Sequence, residues 1–290
     1  MKRRRSIWPH VIVTLLAIAG LAVSLYPMTM QWFSAHARSQ QLVEYAQSSE
    51  QVGNEENEQL LDRARDYNSK IPEILVNDPY SPIDAEEHEV GAWDEYMSQL
   101  DTGSEVMARV RIPSINVDLP ILHGTSEDAL RKGVGHVFGS SLPVGGEGTH
   151  SVLTGHTALT EAKMFDDLVD LKKGDEFVIT VAGEDLAYRV EDIRVVVPSD
   201  VSSLQLEPGK DYVTLITCTP RAVNSHRLLV RGARVELSDE LSQGALRVGP
   251  SAGFPWWAAW FTGGSLLIVA GSYLLARPDL WPASRKKRSS

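Results

Sequence analysis

YVTLITCTPRAVNSHRLLVRGARVEL, residues 212–237, holds two runs rich in Val, Leu, Ile and Thr, parted by a segment that contains Pro220 and Asn224. Short runs of β-forming residues bounded by turn residues read as strands. YVTLITC and HRLLVRGARVEL are therefore expected to form a hairpin across residues 219–225, which puts Cys218 at the end of one strand and Arg227 near the start of the next. Outward from this pair, VMARVRI (106–112), INVDLPIL (115–122), HSVLTG (150–155), EFVITVA (176–182) and LAYRVEDIRVVV (186–197) repeat the pattern. Seven such runs predict a mostly antiparallel barrel or sandwich. One helical insert is expected over EAKMFDDLVDLKKGD, residues 161–175, with Met164, Phe165, Leu168 and Leu171 as its buried stripe. No internal repeat interrupts the domain.

Two apolar segments flank it. Residues 7–33 and 254–276 contain no Asp, Glu, Lys or Arg, and each is long enough for a membrane-spanning helix, which needs roughly 20 residues. KRRR (residues 2–5) precedes the first and RKKR (residues 285–288) follows the second, so the positive-inside rule predicts cytoplasmic ends and an exterior middle. A cleaved signal peptide is the other reading of the first segment, since Ala35-His36-Ala37 resembles a cleavage site. Its apolar core exceeds the usual signal-peptide length, and the domain is exported either way.

The expected organisation is a basic tail (1–6), a transmembrane helix or signal anchor (7–33), an extracellular helical region (34–100), the β domain (101–240), a linker (241–253), a transmembrane helix (254–276) and a second basic tail (277–290). Within 34–100, Leu42, Leu60, Leu61 and Ala64 share a stripe that predicts a helical stalk. The loop NDPYSP follows, then a short helix carrying Val90, Trp93 and Met97. The chain's net charge is −10; the flanks hold nine Lys/Arg and one Asp, so the exterior part carries −18. An acidic domain argues against nucleic acid as a partner, and the charge serves solubility.

Cys218 is the only cysteine. Exported proteins use cysteines in pairs, so a single thiol is either a small buried hydrophobe or a thiolate activated by a nearby base or cation. His156 stands just past HSVLTG, where Gly155 frees the backbone to turn. Cysteine, imidazole and guanidinium at one rim suit acyl transfer: the thiolate attacks, the imidazolium protonates a departing amine, and Arg227, always charged, steadies the oxyanion or holds the substrate. His123, His136 and His150 read as hydrogen-bonded structural residues. His226 precedes Arg227 and, by strand alternation, faces the other way. Arg231 and Arg234 are rivals for the arginine role. Glu86 to Glu89, EEHE, reads as a solvated acidic helix face, because consecutive helical residues diverge, and no metal is assigned.

TLITC matches the TLxTC signature of sortases, TGH carries the histidine as in that family, and an arginine stands nine residues after the cysteine in NSHRLLVRG. With GVGHVFGSSLPVGGEGTHSVLTGHTAL (133–159), NDPY, the N-terminal helical region and the second anchor, residues 70–276 resemble the pilus-assembling class C sortases. The resemblance implies an eight-stranded β-barrel transpeptidase on the outer face of a Gram-positive cell membrane, with neither metal nor organic cofactor. By resemblance, Cys218 attacks the Thr–Gly bond of an LPXTG-like sorting signal, His156 protonates the leaving glycine amine, and Arg227 steadies the oxyanion or peptide. A pilin lysine then resolves the thioacyl enzyme. Asp78, Pro79 and Tyr80 match the family's lid motif, implying that Asp78 pairs with Arg227 and Tyr80 covers the thiol; an ordinary proline turn is the other reading. The implied partners are pilin or surface proteins with sorting signals and the lipid bilayer. A sortase that anchors proteins to peptidoglycan, a hydrolytic cysteine peptidase and a non-catalytic scaffold are the competing readings. GHTAL, where many members have GHRGL, and Arg221-Ala222, where many have an aromatic-glycine pair, depart from the family and bear on substrate preference.

Overall fold

A computed structural model describes residues 8–71, 78–80, 90–238, 241 and 252–276. The basic stretches 2–5 and 285–288, the acidic run 86–89 and most of the linker lie outside the described residues. The chain divides into two compact units, residues 1–32 with 253–290 and residues 33–252.

In the first unit, helix α1 (Trp8–Val52) begins and helix α5 (Trp256–Ala276) ends the described chain. Both are long and apolar enough to cross a membrane. They meet through small residues and polar pins, as lipid-embedded helices do. The Thr14 hydroxyl donates to the Ser272 hydroxyl at 2.6 Å, and the Trp32 indole donates to the Gly253 carbonyl at 3.0 Å. A Cβ added at Gly264 would sit 2.7 Å from a Leu21 methyl, so that methyl would have to shift.

In the second unit eight strands close into a barrel: β1 (Val106–Ile112), β2 (Val117–His123), β3 (Val134–His136), β4 (Thr149–Thr154), β5 (Glu176–Val181), β6 (Glu184–Val196), β7 (Asp211–Thr219) and β8 (His226–Val235). Their order around the barrel is β1-β2-β3-β4-β7-β8-β6-β5. Closure leaves no unpaired edge. Neighbours are antiparallel except β2–β3 and β4–β7, which run parallel. Side chains alternate as the pleat requires: Val213 and Leu215 of β7, with Leu228 and Val230 of β8, enter the main core, whereas Ile216 and Leu229 join a second cluster with Val137, Val152 and Leu204.

Three expectations need correction. Residues 161–175 form no α-helix; only a single 3₁₀ turn at Leu168–Asp170 appears. Asp166 explains this, because its carboxylate accepts the backbone N–H groups of Ala158 at 3.0 Å and Met164 at 3.2 Å, folding the segment into a loop. The four apolar residues of the expected stripe are buried all the same. The helical region after residue 33 is no free stalk: α1 ends at Gly53, whose φ of +83° suits glycine, and α2 (Asn54–Ser69) packs Leu61 and Ala64 into the barrel core. Tyr45 of α1 donates to the Met107 carbonyl at 3.3 Å and accepts the Ala182 N–H at 3.0 Å. Helix α3 (Val90–Met97) buries Tyr96 while Met97 stays exposed. Two further elements, β3 and the short α4 (Glu127–Lys132), were not visible as periodic runs.

Candidate active site

Strand register sets the site. Cys218 of β7 lies directly opposite Arg227 of β8, and directly paired residues in an antiparallel ladder project from the same face. That face also carries Ile216 and Leu229, so both groups lie on the barrel's outer side near the strand ends. Strand β4 runs parallel to β7 with Thr154 opposite Ile216. The Gly155 N–H continues the pairing to the Ile216 carbonyl at 3.1 Å, and the Thr217 hydroxyl donates to the Gly155 carbonyl at 2.8 Å. His156 therefore leaves β4 at the level of Cys218, one residue before β7 ends. Gly155 admits no side chain there, since a Cβ would sit 2.7 Å from Phe165. Gly155→Ala is expected to lower stability by about 1–3 kcal/mol through overpacking, read as a drop in thermal midpoint.

Asp78, Pro79 and Tyr80 lie in this groove. Arg227 donates from Nε to Asp78 Oδ1 and from Nη2 to Oδ2, both at 2.7 Å. Its Nη1 serves the carbonyls of Asn224 and His226 at 3.0 and 3.2 Å. The guanidinium stands 4.9 Å from the Tyr80 ring centroid, a cation–π distance. The same ring lies 5.7 Å from the His156 ring, and its hydroxyl donates to the Gly155 carbonyl at 2.6 Å. Tyr80 thus fills the space around which Cys218, His156 and Arg227 are arranged, and Pro79 is buried beside it.

These neighbours set the thiol's acidity. Burial pushes the Cys218 pKa up, Arg227 pulls it back, and the Asp78 carboxylate pushes it up again. A higher thiol pKa lowers the share of nucleophilic thiolate at neutral pH. Asp78→Asn removes the charge that opposes Arg227. The pH midpoint of Cys218 alkylation by iodoacetamide is expected to move downward in that variant; an unchanged midpoint refutes the electrostatic account.

His156 places its buried Nε2 3.4 Å from Glu127 Oε2 with no well-formed hydrogen bond. Glu127 opens α4, and its carboxylate is held below the usual range by Arg131 first and by His156. Sequence reasoning missed Glu127; the signal was Ser126, whose hydroxyl caps α4 by accepting the Ala129 N–H. It also missed Asp166, whose side chain is 3% exposed and whose Oδ1 binds Arg221 Nη2 at 2.7 Å. Arg221, one of the departures from the family pattern, thereby ties the loop after Cys218 to the loop after His156.

The other candidates are engaged elsewhere. Burial lowers the pKa of His136 and of His150 to about 4; the first contacts the Tyr96 hydroxyl at 2.9 Å and the second the Thr214 hydroxyl at 2.7 Å. His123 meets the Gln99 carbonyl, and His226 contacts the Ser225 hydroxyl. Arg231 pairs with Glu191 and Glu207, and Arg234 faces Asp211. Among the described residues no three His, Cys, Asp or Glu side chains are grouped to hold a metal.

A family model described as "Sortase domain" matches residues 110–235. The crystal structure of sortase C-1 from Actinomyces oris is 50% identical, covering 62% of this chain and 99% of that one at a TM-score of 0.59. The chain belongs to the sortase family. This sortase is also similar to Streptococcus pneumoniae Sortase C, a structure described for catalysis and pilin substrate specificity, at 38% identity over 68% of this chain and 96% of that one, with a TM-score of 0.59. Sortase A of Bacillus anthracis is 33% identical over 128 residues, 44% of this chain and 59% of that protein. The sortase chain thus spans less than two thirds of that relative's length.

Proposed function

We propose that this sortase is a membrane-associated cysteine transpeptidase that cleaves an LPXTG-like sorting signal between Thr and Gly and joins the acyl product to a lysine of a pilin subunit. The arrangement around Tyr80 carries the reading: a nucleophile, a cation paired across the ladder from it and an imidazole from the adjacent strand surround one removable aromatic ring.

Withdrawal of the lid frees Arg227 from Asp78 and opens the groove. The Cys218 thiolate attacks the Thr carbonyl carbon, and Arg227 stabilises the oxyanion. Collapse breaks the C–N bond, and the glycine amine leaves with a proton from His156. The lysine amine attacks the thioester, the C–S bond breaks, and the proton of the amine passes back to His156. Pilin as the acceptor is supported by likeness to the pneumococcal Sortase C. The two apolar helices support membrane association, and the basic ends at residues 2–5 and 285–288 favour two spans with an exterior catalytic domain.

The deciding measurement incubates the full chain with an LPXTG peptide and either hydroxylamine or a lysine-bearing pilin, with products read by mass spectrometry. Amine adducts support transfer. Free acid alone indicates a peptidase, and attachment to peptidoglycan precursor instead of pilin indicates a cell-wall anchoring enzyme.

A further inference from the structure

Buried charges in the barrel unit come with partners: Arg109 meets Asp118 in two bonds of 2.6 Å, and Arg227 meets Asp78. Arg38 of α1 differs. It is 8% exposed, yet among the described residues its guanidinium makes no hydrogen bond or ion pair, and burial lowers its pKa with no carboxylate raising it back. An uncompensated buried cation is costly and is kept only where something supplies the counter-charge.

Arg38 lines a cavity of about 210 Å³ together with Ser39, Leu42, Asn116, Asp118 and Lys163. The volume is several times the ~30 Å³ share of one water molecule, enough for a tetrahedral anion and part of its ester. Asp118, the carboxylate in the wall, is neutralised by its double bond to Arg109. Lys163 is paired with Asp167. The remaining free charge is the Arg38 fork, beside the Ser39 hydroxyl and the Asn116 amide.

Sequence position points to the source of the anion. Arg38 follows Phe33, the last residue of the first apolar segment, by five positions and is the first charged side chain after it. At 1.5 Å per helical residue that is roughly 7–8 Å beyond the apolar segment, the depth of the headgroup layer. Ala252, also in the cavity wall, precedes the second apolar segment by two positions. Guanidinium is suited to phosphate through bidentate bonding, and basic pockets beside membrane helices hold lipid headgroups. We propose that this cavity binds the phosphate of an anionic phospholipid headgroup, with Arg38 as its bidentate donor. The inference rests on the membrane-associated reading and is independent of the transpeptidase reading.

The test uses the full chain in an uncharged maltoside detergent, with binding followed by native mass spectrometry and thermal unfolding. Dihexanoylphosphatidylglycerol, dihexanoylphosphatidylcholine and inorganic phosphate are titrated against the parent, Arg38→Gln and Arg38→Lys. The phosphatidylglycerol is expected to raise the thermal midpoint of the parent and to bind about tenfold or more tighter than the phosphatidylcholine, with Arg38→Gln losing about tenfold or more and Arg38→Lys recovering part of it. Without lipid, Arg38→Gln is expected to melt no lower than the parent, since it removes an uncompensated charge. Inorganic phosphate binding as tightly as the lipid keeps the anion site and makes free phosphate its source. Absence of binding by either anion to the parent, or equal affinity in Arg38→Gln, overturns the proposal. A poorly folded Gln variant leaves the parent titration and Arg38→Lys to decide. Transfer activity plays no part in the readout, so a failure here leaves the function assigned to Cys218 standing, and the reverse also holds.

Discussion

Cys218→Ala is expected to lower the yield of amine adduct by about 10⁴-fold or more, because without the nucleophile only binding and electrostatics remain to accelerate the reaction. The covalent thioacyl species, visible in the parent as a mass increase after incubation with sorting peptide, should vanish altogether. The fold should survive. Cys218 is 9% exposed at a strand end, and removing one sulfur there leaves the ladder bonds between β7 and β8 intact; a change of about 1 kcal/mol or less is expected from so small a truncation. Near-ultraviolet circular dichroism and the thermal midpoint check this. A variant that unfolds identifies the cysteine as core filler, and a variant that still forms adduct removes it from the chemistry.

Arg227→Ala has two opposed effects, and the opposition makes it informative. Loss of an oxyanion-stabilising donor is expected to cost about 10²–10³ in kcat. The same change leaves Asp78 with no counter-charge in a nearly closed groove, where both side chains of the pair are little exposed. A carboxylate so stranded is better placed in water, and the segment carrying Tyr80 is expected to leave with it. Alkylation of Cys218, measured at a pH high enough that the thiol is ionised in both proteins, should therefore accelerate while turnover collapses. A reagent rate that stays level would show that Tyr80 is held without the ion pair. Arg227→Lys keeps the charge and loses the fork, so it should recover some turnover and little of the lid's closure.

How much of this was legible in the sequence depends on which force shaped each part. The β7–β8 hairpin was legible because period-two patterning and turn residues agree there, and the spacing of Cys218 and Arg227 followed from it. Strand β3 was not, since Gly135 gives it no alternation; the glycine is required because a Cβ there would lie 2.4 Å from the Gly124 carbonyl. Residues 161–175 misled because a loop buries an apolar stripe as readily as a helix does, and the carboxylate of Asp166 decided between them. The docking of Tyr45, Leu61 and Ala64 onto the barrel looked like an isolated amphipathic stripe, which does not reveal its partner surface. In the site, His156 was named from a motif, but its arrival beside Cys218 depends on β4 pairing in parallel with β7, a long-range choice no local pattern encodes. Glu127 and Arg221 escaped because each acts through one tertiary contact.

The place of β8 in the barrel has a consequence for the order of folding events. This last strand is inserted between β7 and β6 and supplies Arg227, so the groove does not exist until the final segment of the domain has emerged. Pairings that link residues some sixty positions apart, such as Thr154 with Ile216, are slow to form because their entropic cost precedes their reward. Until then Cys218 is an ordinary thiol on an extended polypeptide, without the imidazole or guanidinium beside it. Competence and concealment are acquired together, when the barrel shuts.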